Sequence, residues 1–174
     1  MEIVQANCWK SVPVMIYLFS EEQVHNSGIL AIQEPWINRY STQMVTYSQA
    51  LRGRFHQTIK PVPSSGLAPR VCFFVNKRID PKTWTVRHRS RFLNTLILRG
   101  VPEIGPVYIH NIYIPGKDGD QRETDADKHK NKNSDPSKNL EKEQQNPVLN
   151  LLKIVLQKPG EHLVLGDFNL HHPL

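Results

Sequence analysis

The sequence is poor in several features, and each one missing narrows its class. It has only two cysteines in 174 residues, Cys8 and Cys72. They lack metal-type spacing and sit in apolar, strand-like runs, so no disulfide is expected and two buried free thiols are. No run of about 18 apolar residues occurs, which excludes a membrane-spanning helix. The apolar run at 12–19 is short, follows a single Lys10 and has no small-residue cleavage site after it, so it is not a signal peptide and the chain reads as intracellular. A phosphate-cradling glycine loop, His-Glu-x-x-His and Gly-x-Ser-x-Gly are all missing, which argues against the chemistries that those motifs carry.

Acidic residues are nearly missing from one long stretch. Between Ile37 and Gly100 twelve Lys or Arg stand against Asp80 alone, a segment charge of +11 in a chain whose net charge is +6. Arg52, Arg54, Arg70, Arg87, Arg89 and Arg91 are interleaved there with Phe55, His56, Trp84 and His88, a composition suited to phosphate and base contacts. The other reading is a solvated surface without a partner. From 117 to 146 the composition changes to eight acids, seven Lys or Arg and Leu140 as the only large aliphatic, so a disordered insertion is expected.

What remains, 39% hydrophobic overall, suffices for one sizeable core and one domain. Strands are expected at 2–8, 29–32, 71–76, 91–98, 107–114 and 162–165, and helices at 14–24 and 148–156, the second with Pro147 in its first turn. Helices between some strands suggest an α/β sandwich. Three of these strands end in polar residues. The strand at 29–32 delivers Gln33-Glu34-Pro35-Trp36, where Pro35 forbids continuation as a central strand. The strand at 107–114 puts Asn111 and Tyr113 on one face, and the last runs through Gly166 to Asp167 and Asn169, two apart and so on one side. A carboxylate there suits a hard cation or a base role, and an amide can hold phosphate without adding charge. Each site alone also reads as a plain strand-to-loop exit.

Taken in order, Asn7, Gln33-Glu34-Pro35-Trp36, Asn111-x-Tyr113-x-Pro115 and Gly166-Asp167-Phe168-Asn169 resemble the endonuclease/exonuclease/phosphatase superfamily, which has the DNase-I-like fold. Ala31-Ile32-Gln33-Glu34-Pro35-Trp36, Pro69-Arg70-Val71, Asn76-Lys77 and the tail through His171-His172-Pro173 are similar more narrowly to the endonuclease domain of fungal non-LTR retrotransposons. The resemblance implies an α/β (α+β) fold, a four-layer sandwich of mixed β-sheets flanked by helices. It implies that Glu34 binds Mg²⁺ or Mn²⁺ with Asn7 in support. Tyr113 would contact phosphate, Asp167 would orient or deprotonate the attacking water, and Asn169 would hold Asp167 and phosphate. DNA would be the partner, held by the basic segment, and the location would be nuclear.

Two departures from the family's pattern stand out. Trp9 occupies a place where some relatives carry an acid. The family also continues past Asn169 to a Ser-Asp-His-like segment whose His is central to catalysis, whereas His171 and His172 belong to an earlier loop. The resemblance therefore implies that 1–174 is a single incomplete domain, lacking its last strands, with impaired nicking activity. An inactive DNA-binding remnant and a phosphatase of the same superfamily are the alternatives.

Overall fold

The structure, a computed structural model, describes residues 1–37, 53–59, 68–101, 103–116 and 146–169. Arg52, His171, His172 and nearly all of the insertion expected at 117–146 lie outside the described residues. Eight strands are described, in two four-stranded sheets. The first sheet holds β1 (Ile3–Asn7), β2 (Ile29–Gln33), β3 (Phe55–Thr58) and β4 (Val71–Asn76), in the order β1-β2-β4-β3. The second holds β5 (Trp84–Ser90), β6 (Leu93–Val101), β7 (Gly105–Tyr113) and β8 (Glu161–Asp167), in that order. Both sheets are mixed: β1 runs parallel to β2 and β7 parallel to β8, while the other pairs are antiparallel.

The strands at the centre are those whose sequence is apolar on both faces, as burial from two sides demands. β2 and β4 are buried at every position. Their alternate residues Ile29, Ala31, Phe73 and Val75 meet Leu96, Leu98 and Ile109 of the second sheet. The opposite faces, with Leu30, Ile32, Cys72 and Phe74, pack on Met15, Phe19 and Val24 of helices α1 (Val12–Ser20) and α2 (Glu22–Asn26). On the far side Val148, Leu152 and Val155 of α3 (Pro147–Leu156) cover Leu93 and Ile112. The expected helix–sheet–sheet–helix sandwich is thus the observed one. Cys8 and Cys72 are buried free thiols, and burial pushes the Cys8 thiol up to about 12. No helix among the described residues is long and apolar enough to cross a membrane.

Local expectations needed correction in three places. The helix expected at 14–24 is two helices. Ser11 caps the first, accepting from the Val14 N–H, and Glu21 in extended conformation (φ −71°, ψ 128°) separates it from the second. Two strands, β3 and β5, lie inside the basic segment, where charge masked the alternation Trp84-Thr85-Val86-Arg87. The strand expected from Arg91 begins at Leu93, because Arg91 and Phe92 form the turn that leaves β5.

Gly166 is needed for the β7–β8 pairing itself. It lies opposite Ile112, and a Cβ there would overlap the Ile112 carbonyl oxygen and side chain. Backbone on both sides leaves little room to yield. Gly166→Ala is therefore expected to lower the unfolding free energy in urea by about 1–3 kcal/mol. A loss below about 0.5 kcal/mol would show that β8 can shift to admit the methyl group.

Candidate active site

The two parallel pairs end at one edge of the sandwich. Asn7 lies opposite Gln33 at the end of β1–β2, and Tyr113 lies opposite Asp167 at the end of β7–β8. A chain of amides joins these ends. Gln5 Nε2 donates to the Gly166 carbonyl at 3.0 Å and reaches Gln33 Oε1 at 3.4 Å. Gln33 Nε2 donates to Asn111 Oδ1 at 2.5 Å, and Asn111 Nδ2 donates to the carbonyls of Cys72 at 2.8 Å and Ile32 at 3.1 Å. Gln33 and Asn111 are wholly buried. A second tie runs from Asn94 Nδ2 to the Val71 carbonyl at 2.9 Å. Residue-type reasoning did not assign these roles, yet a signal was there: Asn94 and Asn111 sit on otherwise apolar strand faces, beside Leu96 and Ile109.

Glu34 leaves β2 in left-handed backbone, φ +46°, a conformation that non-glycine residues adopt at a cost and often at functional sites. It is pinned there. Its N–H donates to the Arg70 carbonyl and its own carbonyl accepts from Lys10 N–H, both at 2.7 Å. Its carboxylate Oε1 accepts from Arg70 Nη1 at 3.0 Å, with the side chains only 13% and 7% exposed. Tyr113 stands near the same carboxylate, and its phenol is pushed up to about 12. Burial is the first cause, then the Glu34 carboxylate. Asp167 adds to the shift and Arg70 opposes it. Phe92 stacks on Tyr113 with centroids 6.3 Å apart, and the Arg70 guanidinium lies 5.9 Å from the phenol ring.

Asp167 is held by neutral donors. Asn7 Nδ2 donates to its Oδ2 at 2.6 Å, and the Asn169 N–H approaches its Oδ1 at 3.3 Å. Such donors stabilise a carboxylate without cancelling its charge. The geometry also redistributes the expected roles. Asn7, expected to support Glu34, donates to Asp167, while its Oδ1 accepts from Trp9 N–H at 2.9 Å. Asn169 lies beyond the end of β8 at φ +38°, so strand alternation no longer governs it. Its side chain donates to the Ile114 carbonyl at 3.0 Å, and only its backbone reaches Asp167.

The arginines do not form one surface. Arg70, expected on the nucleic-acid face, is 6% exposed and ion-paired with Glu34, because its backbone joins β4 to the site. Arg91 stands next to it, its carbonyl accepting from Arg70 N–H at 2.7 Å and its guanidinium 4.8 Å from the Phe92 ring centroid. Arg54 is exposed at the opposite end of the first sheet, beside the Asn76 end of β4. Arg87 and Arg89 belong to β5, where Arg87 is exposed.

The donor set suits one kind of metal. Two carboxylates, a phenol and amide oxygens are hard ligands, and among the described residues no group of three His, Cys, Asp or Glu side chains forms a closed cage. Mg²⁺ asks for no such cage, since it takes one or two carboxylates and completes its shell with water and substrate phosphate. Glu34 and Asp167 fit that requirement.

Two mixed sheets face to face with helices outside, and a polar cluster at their common edge, define the DNase-I-like fold. The chain matches the solved structure of the endonuclease domain of TRAS1, a telomere-specific non-LTR retrotransposon, with a TM-score of 0.54 and 14% identity. The match covers 98% of this chain and 59% of that one, so this chain spans well under two thirds of its structural neighbour. No protein-family model and no curated protein matches the sequence. The resemblance read from Glu34, Tyr113 and Asp167 is met at the level of the fold.

Two outcomes are expected at this site. Removing Arg70 takes away the cation bonded to the mostly buried Glu34 carboxylate, so Arg70→Met should cost about 3–5 kcal/mol of stability, and much less in a Glu34→Gln background. Equal losses in both backgrounds, measured by urea unfolding, would mean that the pair is not coupled. Tyr113 is an acid whose folded-state pKa is raised, so the stability it contributes is full below pH 10 and is lost as pH rises from 10 towards about 12. Absorbance at 295 nm, as the difference between wild type and Tyr113→Phe, should show a midpoint near 12 that falls in Glu34→Gln. An unmoved midpoint would show that burial alone sets it.

Proposed function

We propose that the chain is a metal-dependent DNA endonuclease domain of retrotransposon type, hydrolysing phosphodiester bonds at the edge where β1, β2, β7 and β8 end. The observation that carries the reading is that Glu34, Tyr113, Asp167 and Asn7 all stand where β1, β2, β7 and β8 end, with Asn7 donating to Asp167 and Glu34 beside Tyr113, in the fold of a known endonuclease domain.

The chemistry of each side chain supports it. A Mg²⁺ or Mn²⁺ ion held by Glu34, with Asp167 near, would supply the Lewis acid that phosphate ester cleavage needs. Asp167, held between neutral donors, is suited to orient the attacking water or take its proton. Tyr113, neutral at physiological pH as any ordinary phenol is, would donate to a nonbridging phosphate oxygen. Arg70 balances the charge of Glu34 and, with Arg91 beside it, favours the approach of a phosphodiester.

One observation favours a second reading, in which the chain holds DNA without cutting it: the Arg70 guanidinium occupies Glu34 Oε1, an oxygen the metal would use.

Relaxation of supercoiled plasmid separates the two, because a single nick registers. With Mg²⁺ the chain is expected to nick. A chelator should abolish this, and Glu34→Ala and Asp167→Asn should each lower the rate by about 10²-fold or more. DNA retention by a folded chain with no metal-dependent nicking would establish the binding reading instead.

A further inference from the structure

The outer face of the second sheet carries a feature that the catalytic edge does not use. Thr85, Ile97, Tyr108 and His162 form one rung across β5–β8, with Arg87 on the next rung beside Thr95 and His110. Between Ile97 and Tyr108 on one side and the start of β7 at Gly105-Pro106 on the other opens a cavity of about 470 Å³, whose rim carries Arg87, Arg99 and Lys158. All three cations are exposed, and among the described residues no carboxylate lines the cavity.

The lining is held in place. The Lys158 carbonyl accepts from His162 Nε2 at 2.8 Å, and the His162 ring stacks on Tyr108 with centroids 4.9 Å apart. Gly160, at φ +132°, lies so close to the Pro106 carbonyl and the Tyr108 ring that a Cβ would not fit. The loop bearing Lys158 is thus seated against the strand that forms the cavity wall. On the next rung His110 is buried, and burial first, then His162 and Arg89, lower it to about 4. Three cations around one concavity repel each other unless an anion joins them. Its volume also suits more than a bare ion, since small-ligand sites start at about 300 Å³.

We propose that this cavity is a phosphate-binding site for a nucleotide unit, with Arg87, Arg99 and Lys158 as the cations and Tyr108 as a neutral donor. It is separate from the catalytic edge: Tyr108 precedes Tyr113 by five strand residues, about 17 Å, and faces the other side of the sheet. A polynucleotide strand or a free phosphate monoester presents the same chemistry, and the two are distinguished by competition.

The test is fluorescence anisotropy of a labelled 12-nucleotide oligothymidylate bound to the full chain in chelator, so that cleavage plays no part. The Arg87→Gln, Arg99→Gln double variant is expected to bind at least about tenfold more weakly at low salt. Its slope of log affinity against log salt should be shallower by about 1.4, the release expected for two single-strand phosphate contacts. Arg87→Lys with Arg99→Lys should restore the slope, because the slope counts charges. Displacement of the oligonucleotide from wild type by millimolar inorganic phosphate or adenosine monophosphate, lost in the Gln variant, would assign the site to free phosphate monoesters. No displacement, with the slope change intact, would assign it to a strand. An unchanged slope in the Gln variant, or a slope lost equally in the Lys variant, would overturn the proposal. Nicking is measured separately, so failure here and failure of the endonuclease reading are distinct results.

Discussion

The buried hydrogen bond between Gln33 and Asn111 is the constraint on which the rest depends. An amide pair in an apolar layer is tolerable only if its polar atoms find partners, since an unmade buried hydrogen bond costs about 1–3 kcal/mol. Here Asn111 also satisfies two backbone carbonyls of the opposite sheet, those of Ile32 and Cys72. Apolar contacts between the sheets are non-directional and would allow sliding; these bonds allow one register. Everything functional hangs from that register. Glu34 follows Gln33, Tyr113 lies two residues beyond Asn111 on the same face, and Gln5 ties Gln33 to the carbonyl of Gly166, one residue before Asp167.

The strands of this frame were legible in the sequence wherever burial on both faces forced a continuous apolar run, as at Ile29–Gln33 and Val71–Asn76. They were illegible where one face stays wet. The pattern of β5 alternates, but Arg87, His88 and Arg89 make it look like charged surface. The helix break at Glu21 carries no proline or glycine to announce it. At the site, Glu34, Tyr113 and Asp167 each read alone as a plain strand-to-loop exit, and only the order of the four motifs and the resemblance it carries singled them out. The pairing among them was not legible. That Asn7 serves Asp167, that Asn169 turns its side chain to Ile114, and that Arg70 is buried against Glu34 all follow from where two separate sheets meet. No spacing within one segment encodes that.

The arrangement also separates charge by purpose. Arg70 is committed to one carboxylate and contributes to the interior of the site, whereas Arg87 and Arg99 have no such partner among the described residues and face outward on another surface. A segment that in sequence is one basic block thus divides, in the fold, into an internal counter-charge and an external anion receptor. The division follows from where the residues stand: Arg70 precedes β4 beside Glu34, whereas Arg87 and Arg99 lie on β5 and β6 of the other sheet.

In the proposed function one sheet edge presents Glu34 and Asp167 together as a hard-cation site. Paramagnetic broadening by Mn²⁺ in a ¹H–¹⁵N spectrum of the full chain tests this most directly, because it reports proximity residue by residue and needs no turnover. At substoichiometric Mn²⁺ the amides of Asn7, Glu34, Tyr113 and Asp167 should broaden first, while Arg87 and Lys158 stay sharp, and the effect should vanish in the Glu34→Ala, Asp167→Ala chain. Broadening centred elsewhere, or unchanged in that variant, would mean that Glu34 and Asp167 do not hold the cation.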